Sequence, residues 1–244
     1  MNRTVRKLIP RVAKPPLERV RQAVQVLVKL GGAVPRTCSI CGYHGRFLAF
    51  GNPPRYDARC RRCGSLERHR LLKLWLEREL NDRSLGRVVH FAPEPALRRI
   101  LGARATHYLS ADIEPGKGDL VLDLEQIALP SASVDMVVCS HVLEHVHDEA
   151  ALGEVFRVLA PGGLAVLMVP VVEGWAATYE NPAVSLEERT LHFGQWDHVR
   201  YYGADFRERV RRAGFVLTEY TAIEPDVSRF GLVRGEKVFI ARKP

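Results

Sequence analysis

The sequence predicts an α/β protein: an open, mostly parallel sheet with helices on both faces, preceded by a small cysteine-bearing module. Three observations lead there. From residue 87 onward, short apolar runs alternate with helical stretches, the pattern of βα units that stack into a parallel sheet. Between residues 35 and 65, four cysteines stand in two Cys-x-x-Cys pairs among Gly42, Gly45, Gly51, Pro53 and Pro54. A length of 244 residues with 46% hydrophobic content suffices for one such domain and a small accessory module.

Residues 1–34 form a basic N-terminal segment, irregular over 1–16. Leu17, Val20, Val24, Leu27 and Val28 then recur at helical spacing through Leu30, and Gly31-Gly32 ends the helix. Its apolar stripe is expected to pack on the chain's own surface; a membrane surface or a partner is the alternative seat. Residues 35–65 are turn-rich, with little room for an apolar core. A helix follows over Ser65–Leu80, with Ser65 as N-cap and Leu66, Leu72, Trp75, Leu76 and Leu80 as its apolar stripe. It connects the module, through residues 66–86, to a domain over 87–244. There the expected strands are Arg87–Phe91, His107–Ala111, Leu120–Leu122, Val134–Ser140, Leu164–Val169, Phe215–Ala222 and Lys237–Ala241. The expected helices are Pro95–Leu101, Glu149–Leu159 and Ala204–Ala213. No helix is evident between the last two strands, so they should pair antiparallel.

The cysteines run Cys38-x2-Cys41-x18-Cys60-x2-Cys63. Two such knuckles joined by a hairpin can bring four thiolates into the tetrahedron that zinc prefers, a zinc ribbon. Gly42 and Gly64 each follow a knuckle, where the turn calls for a left-handed residue. With four protein ligands the metal would be structural. Cys139, alone in an apolar strand, reads as a core residue.

The net charge is +8, unevenly spread. Residues 1–86 carry 19 Lys and Arg against 6 Asp and Glu, and residues 87–244 carry 17 against 22. The basic first third suits a solvated face, with nucleic acid or weak membrane-surface contact as alternatives. No apolar run reaches transmembrane length. The prolines at 10, 15 and 16 interrupt any secretory signal, so a cytoplasmic setting is expected.

One stretch carries a resemblance. Leu129–Pro170 reads LPSASVDMVVCSHVLEHVHDEAALGEVFRVLAPGGLAVLMVP. An acidic residue, an apolar strand, HVLEHV, a helix, RVLAPGG and a second strand follow in order. This resembles class I S-adenosylmethionine-dependent methyltransferases of the type 11 kind. The resemblance implies a Rossmann-like seven-stranded sheet, with cofactor and substrate at the carboxyl ends of the strands. It also implies cofactor contacts from Phe91, Ala92, Pro93 and Glu94 after the first strand. Asp112, with Ile113, matches the ribose-binding position. Asp123, with Leu124, matches the position beside the adenine amino group, and Ser140 and His141 would face the methyl group. The chain departs from the family where Ala92 and Glu94 replace loop glycines and His90 replaces an acidic residue.

Methyl transfer needs alignment and sometimes a base. His141, Glu144 and His145 would share a face if Val142–Val146 were helical. Some methyltransferases with a similar run hold a divalent metal there, with a carboxylate in place of His141. Residues 191–202 add His192, Trp196, His198, Arg200 and Tyr201 in a loop expected to overhang the site. His141, His145, His192 and His198 are the candidate bases; Trp196, Arg200 and Tyr201 are candidates to shape a substrate pocket. The expected activity is methyl transfer to a small-molecule or sugar-like acceptor. A zinc-ribbon RNA methyltransferase and a non-catalytic interaction protein on the same scaffold are the alternatives.

Overall fold

The computed structural model describes residues 14–244. From residue 87 the apolar runs form a single seven-stranded sheet. In chain order its strands are β1 (Arg87–Phe91), β2 (His107–Asp112), β3 (Leu120–Val121), β4 (Val134–Ser140), β5 (Leu159–Met168), β6 (Val216–Thr221) and β7 (Lys237–Arg242). In space the order is β6-β7-β5-β4-β1-β2-β3. The first five pair parallel. As expected for two strands without a long crossover, β7 runs antiparallel to both β6 and β5. The expected Rossmann-like, mostly parallel sheet is therefore present. The chain leaves β1 toward β2 and later returns on its other side as β4. That reversal opens a crevice at the carboxyl ends of β1 and β4, where open α/β sheets bind ligands.

β1 and β4 occupy the residues predicted for them. Each is buried along nearly its whole length. Cys139, in β4, is a core residue as expected, and burial pushes its thiol pKa well above the ordinary value. β5 starts five residues before the prediction, because Leu159 already pairs with Val134; Ala160–Gly163 then bulges, with Gly162 at φ +77, before the ladder resumes at Leu164. Gly163 permits this: a Cβ there would stand 2.8 Å from the Ala160 carbonyl oxygen. The connecting helices Pro95–Gly102, Asp148–Val158 and Phe206–Arg212 lie within a residue or two of the predictions. Their apolar sides (Leu97 and Leu101; Leu152 and Val155; Phe206 and Val210) are buried.

The chain divides into two compact units. The sheet unit holds Leu71–Ile223 and Val233–Pro244; the other holds the described residues through Arg70 together with Glu224–Leu232. The second unit contains two antiparallel hairpins, Pro35–Thr37 with His44–Arg46 and Leu48–Phe50 with Arg55–Arg59. Its C-terminal contribution includes a short helix, Asp226–Phe230, lying between β6 and β7 in sequence, which the sequence reading did not anticipate. Arg70 holds this segment in place by donating to the carbonyls of Phe230 and Gly231 at 2.7 and 2.6 Å.

The N-terminal helix spans Lys14–Leu30; residues 1–13 of the expected irregular stretch lie outside the described residues. Val20, Val24, Leu27 and Val28 are 61, 52, 66 and 59% exposed. The expectation that this stripe packs on the chain's own surface is therefore overturned: helical periodicity marks a helix without showing what covers it. The connecting helix runs Glu67–Glu79, so Ser65 is not its N-cap. The Leu66 N–H is instead met by His69 Nδ1 at 3.1 Å. No helix among the described residues is long and apolar enough to cross a membrane.

Candidate functional site

At the carboxyl ends of β1, β2 and β4 the sheet unit holds a cavity of about 350 Å³. Seven of the residues expected to contact a cofactor line it: Phe91, Ala92, Asp112, Ile113, Asp123, Leu124 and His141. Pro93, Glu94 and Ser140 belong to the same strand ends but do not line it. Glu94 accepts a hydrogen bond from the Ser140 hydroxyl at 3.3 Å, tying the ends of β1 and β4 together. Ala92 takes φ +47, the left-handed conformation that a loop glycine would reach without strain. The turn geometry thus survives the loss of the glycine.

Asp112 and Asp123 are built alike. Each uses Oδ1 to accept the backbone N–H two residues on, from Glu114 at 2.9 Å and Glu125 at 2.8 Å. These are Asx-turns. Oδ2 of each has no hydrogen-bond partner among the described residues. One oxygen fixes the turn, and the other remains for a donor in the cavity. Leu122, Leu124, Phe91 and Val142 provide apolar wall. Carboxylates set in an apolar cleft of this size fit a nucleoside-bearing ligand.

His141, at φ +56, follows the end of β4. It also lines a second cavity of about 470 Å³, formed with Val169–Glu173, Tyr201 and residues 233–237. The two cavities share this imidazole. Its Nδ1 lies 3.2 Å from Oε1 of Glu144, which is fully buried.

The stretch after His141 makes one 3-10 turn, Leu143–His145, so the helical condition for His141, Glu144 and His145 sharing a face is not met. Arg200 fixes that turn by donating to the carbonyls of Leu143 and Val146, while its Nε donates to Glu180. Tyr202 joins it, its hydroxyl donating to Asp148 at 3.0 Å. Arg200, a candidate for the substrate pocket, is thus a buried support beneath the turn. Tyr201 does line the second cavity, whereas Trp196 projects outward, 68% exposed. His145 lines the first cavity and packs edge to face against His198, with ring centroids 4.6 Å apart. Burial holds the His198 pKa below its ordinary value. His192 lines neither cavity; it is engaged by the Tyr179 hydroxyl at 2.7 Å. The sequence reading missed Asp197, which lines the first cavity, because a lone acidic residue in a polar loop carries no pattern.

In the other unit the four cysteines come together as free thiols. All four sulfurs lie within 4.8 Å of one another. Cys38 and Cys63 are 3.6 Å apart, and Cys41 and Cys60 3.7 Å. Four sulfurs about 2.3 Å from a tetrahedral centre stand roughly 3.8 Å apart, so the cluster fits one metal ion. The two knuckles repeat each other. Gly42 N–H donates to Cys38 O and Gly64 N–H to Cys60 O, both at 2.9 Å. Both glycines have left-handed φ, +69 and +73, as the sequence predicted. The Ser65 hydroxyl lies 3.3 and 3.2 Å from the sulfurs of Cys38 and Cys63. Burial raises the Cys60 thiol to about 12. Burial also opposes ionisation at Cys63, but hydrogen bonds from Ser65 bring it down to about 7.

Residues 79–167 match the family described as a methyltransferase domain. A probable S-adenosylmethionine-dependent methyltransferase of Mycolicibacterium smegmatis is 31% identical over 132 residues, covering 50% of this chain and 45% of that one. The chain thus spans less than half the length of this curated relative. Among solved structures, an S-adenosylmethionine-dependent methyltransferase from Mesorhizobium loti superposes with a TM-score of 0.51 at 19% identity, over 71% of this chain and 98% of that one. The 4+2 cyclase SpnF gives 0.54 at 15%, over 72% and 81%. These two likenesses establish the fold.

Proposed function

From a chain whose residues 79–167 match a methyltransferase domain and which resembles class I S-adenosylmethionine-dependent methyltransferases, we propose an enzyme that moves a methyl group onto a small-molecule or sugar-like acceptor. The observation carrying this reading is the shared wall at His141 between the carboxylate-bearing cavity and the second cavity. The first would hold the cofactor and the second the acceptor. S-adenosylmethionine supplies a methyl group on a sulfonium, ready for in-line displacement.

The chain's own residues then do three things. The free oxygens of Asp112 and Asp123 bind, Asp112 toward the ribose hydroxyls and Asp123 toward the adenine amino group. Phe91, Ile113 and Leu124 exclude water from the cofactor's flanks, beside the loop of Ala92, Pro93 and Glu94. His141 takes the acceptor's proton, with Glu144 orienting its ring through Nδ1. His145, His198 and His192 follow as candidate bases, His192 last because Tyr179 engages it. Residues 35–65 would hold one structural zinc ion, residues 66–86 would connect, and residues 87–244 would carry the chemistry. A reducing, cytoplasmic setting belongs to this proposal, since it keeps the thiols available.

Asp112→Ala tests the cofactor assignment. It removes a charge-assisted hydrogen bond worth about 1.5–3 kcal/mol, so S-adenosylhomocysteine affinity measured by calorimetry should fall roughly 10- to 100-fold. Unchanged affinity would remove the ribose role.

One observation favours RNA as the acceptor in a second reading. The cysteine unit exposes Phe50 and Tyr56, with the Arg59 guanidinium 5.9 Å from the Phe50 ring and Lys29 Nζ 5.7 Å from the Tyr56 ring. Exposed rings beside cations suit stacked bases. Salt-dependent retention on single-stranded RNA, lost in Phe50→Ala with Tyr56→Ala, would move the acceptor from small molecule to RNA.

A further inference from the structure

We propose that the helix Lys14–Leu30 seats this protein on an anionic lipid bilayer, lying in the plane of the surface with Val20, Val24, Leu27 and Val28 turned toward the acyl chains. Each residue of an α-helix turns about 100° from the one before, so these four fall within an arc of about 100° on one side. Arg21, Gln25, Glu18, Lys29, Gln22 and Arg19 fill most of the remaining arc, with Val26 among them. Every residue from Glu18 through Lys29 is exposed. An apolar stripe kept in water over about two turns carries a hydrophobic cost that a covering surface removes.

Charge selects that surface. Residues 1–30 carry 8 Lys and Arg against 1 Glu. A second copy of the same helix would bring its own positive charge to the contact and be repelled. A nucleic acid would meet the cations through its phosphates and leave the stripe in water. An anionic bilayer answers both faces, with headgroup phosphates for the arginines and lysines and acyl chains for the valines and leucine. The helix has no tryptophan or phenylalanine, so insertion alone is weak and the basic residues supply the second signal.

The cysteine unit holds this helix by its C-terminal end. Arg61 donates to the Gly31 carbonyl at 2.6 Å, and the Ala33 N–H donates to Asp57 at 2.9 Å. Lys29 Nζ stands 5.7 Å from the centre of the exposed Tyr56 ring, and tyrosine favours the headgroup level of a membrane. The surface stands whether or not the acceptor assignment does, because its test reads lipid binding alone.

Flotation of the full chain with vesicles is that test. Vesicles of phosphatidylcholine and phosphatidylglycerol in equal amounts should carry the protein upward, and added salt should weaken this. Pure phosphatidylcholine should carry little. Val24→Gln with Leu27→Gln keeps the charge and, at exposed positions, the fold; it should weaken binding at least about tenfold. Arg19→Gln with Arg21→Gln should lower affinity for the anionic vesicles by about tenfold or more. No flotation with anionic vesicles at low salt overturns the proposal, as does equal flotation with pure phosphatidylcholine. Full binding by the Val24→Gln, Leu27→Gln variant overturns the stripe's role. Retention on single-stranded RNA without flotation would give the basic segment to nucleic acid and overturn the proposal as well.

Discussion

Cys60→Ser should abolish zinc retention and unfold the cysteine unit. A serine hydroxyl stays protonated at neutral pH and cannot replace a thiolate ligand. The buried cluster around the thiols is small, consisting of Cys38, Phe47 and Cys60 with Ile40, Cys41, Tyr43 and Cys63 packed against it. Modules this small depend on a staple. Zinc binding in comparable thiolate peptides supplies about 10–16 kcal/mol of apparent free energy, far more than such a core contributes. Metal analysis after dialysis should find no zinc in the variant, and amide exchange across residues 35–65 should approach that of an unfolded chain. A full equivalent of zinc with unchanged exchange would refute the structural assignment.

Arg70→Met should destabilise the same unit by about 3–5 kcal/mol or more. Arg70 is fully buried. Its guanidinium donates to the carbonyls of Ser65, Ala58, Phe230 and Gly231 at 2.7, 2.9, 2.7 and 2.6 Å, and it lies 4.7 Å from the Phe47 ring. Four buried carbonyls lose their donor together in the variant. The positive charge also stands close enough to Cys38, Cys60 and Cys63 to interact with them, where it would offset the charge of a four-thiolate zinc centre. Arg70→Lys should recover only part of the loss, because an ammonium lacks the planar fork that reaches all four oxygens. Denaturant unfolding of both variants, read by amide exchange within the unit, measures the two losses. A change below about 1 kcal/mol for Arg70→Met would contradict this role.

The sheet and the cysteine cluster were legible in the sequence because their signals are local. β1 and β4 are apolar runs with clear ends, and the knuckles are set by spacing and two glycines. Asp112 and Asp123 were picked out through the resemblance, and both line the first cavity. The buried arginines were not. Arg70 and Arg200 look like solvated charge in the sequence, and their burial depends on distant carbonyls; Phe230 is 160 residues from Arg70. The helix Asp226–Phe230 is too short to show periodicity. The sequence offered Glu144 a helix face only if Val142–Val146 were helical; a 3-10 turn forms there, and Glu144 is buried. The exposed valines and leucine of the N-terminal helix mark the converse limit, an apolar pattern with nothing over it among the described residues.

The account rests most on the cavity at the ends of β1, β2 and β4 being a cofactor site. Calorimetric titration of the intact protein with S-adenosylmethionine and S-adenosylhomocysteine tests this directly. The account predicts one site per chain for both ligands, with the second competing for the first. Titrations showing no binding of either would contradict it and leave a methyltransferase-like scaffold serving another purpose, as the fold shared with a 4+2 cyclase shows is possible.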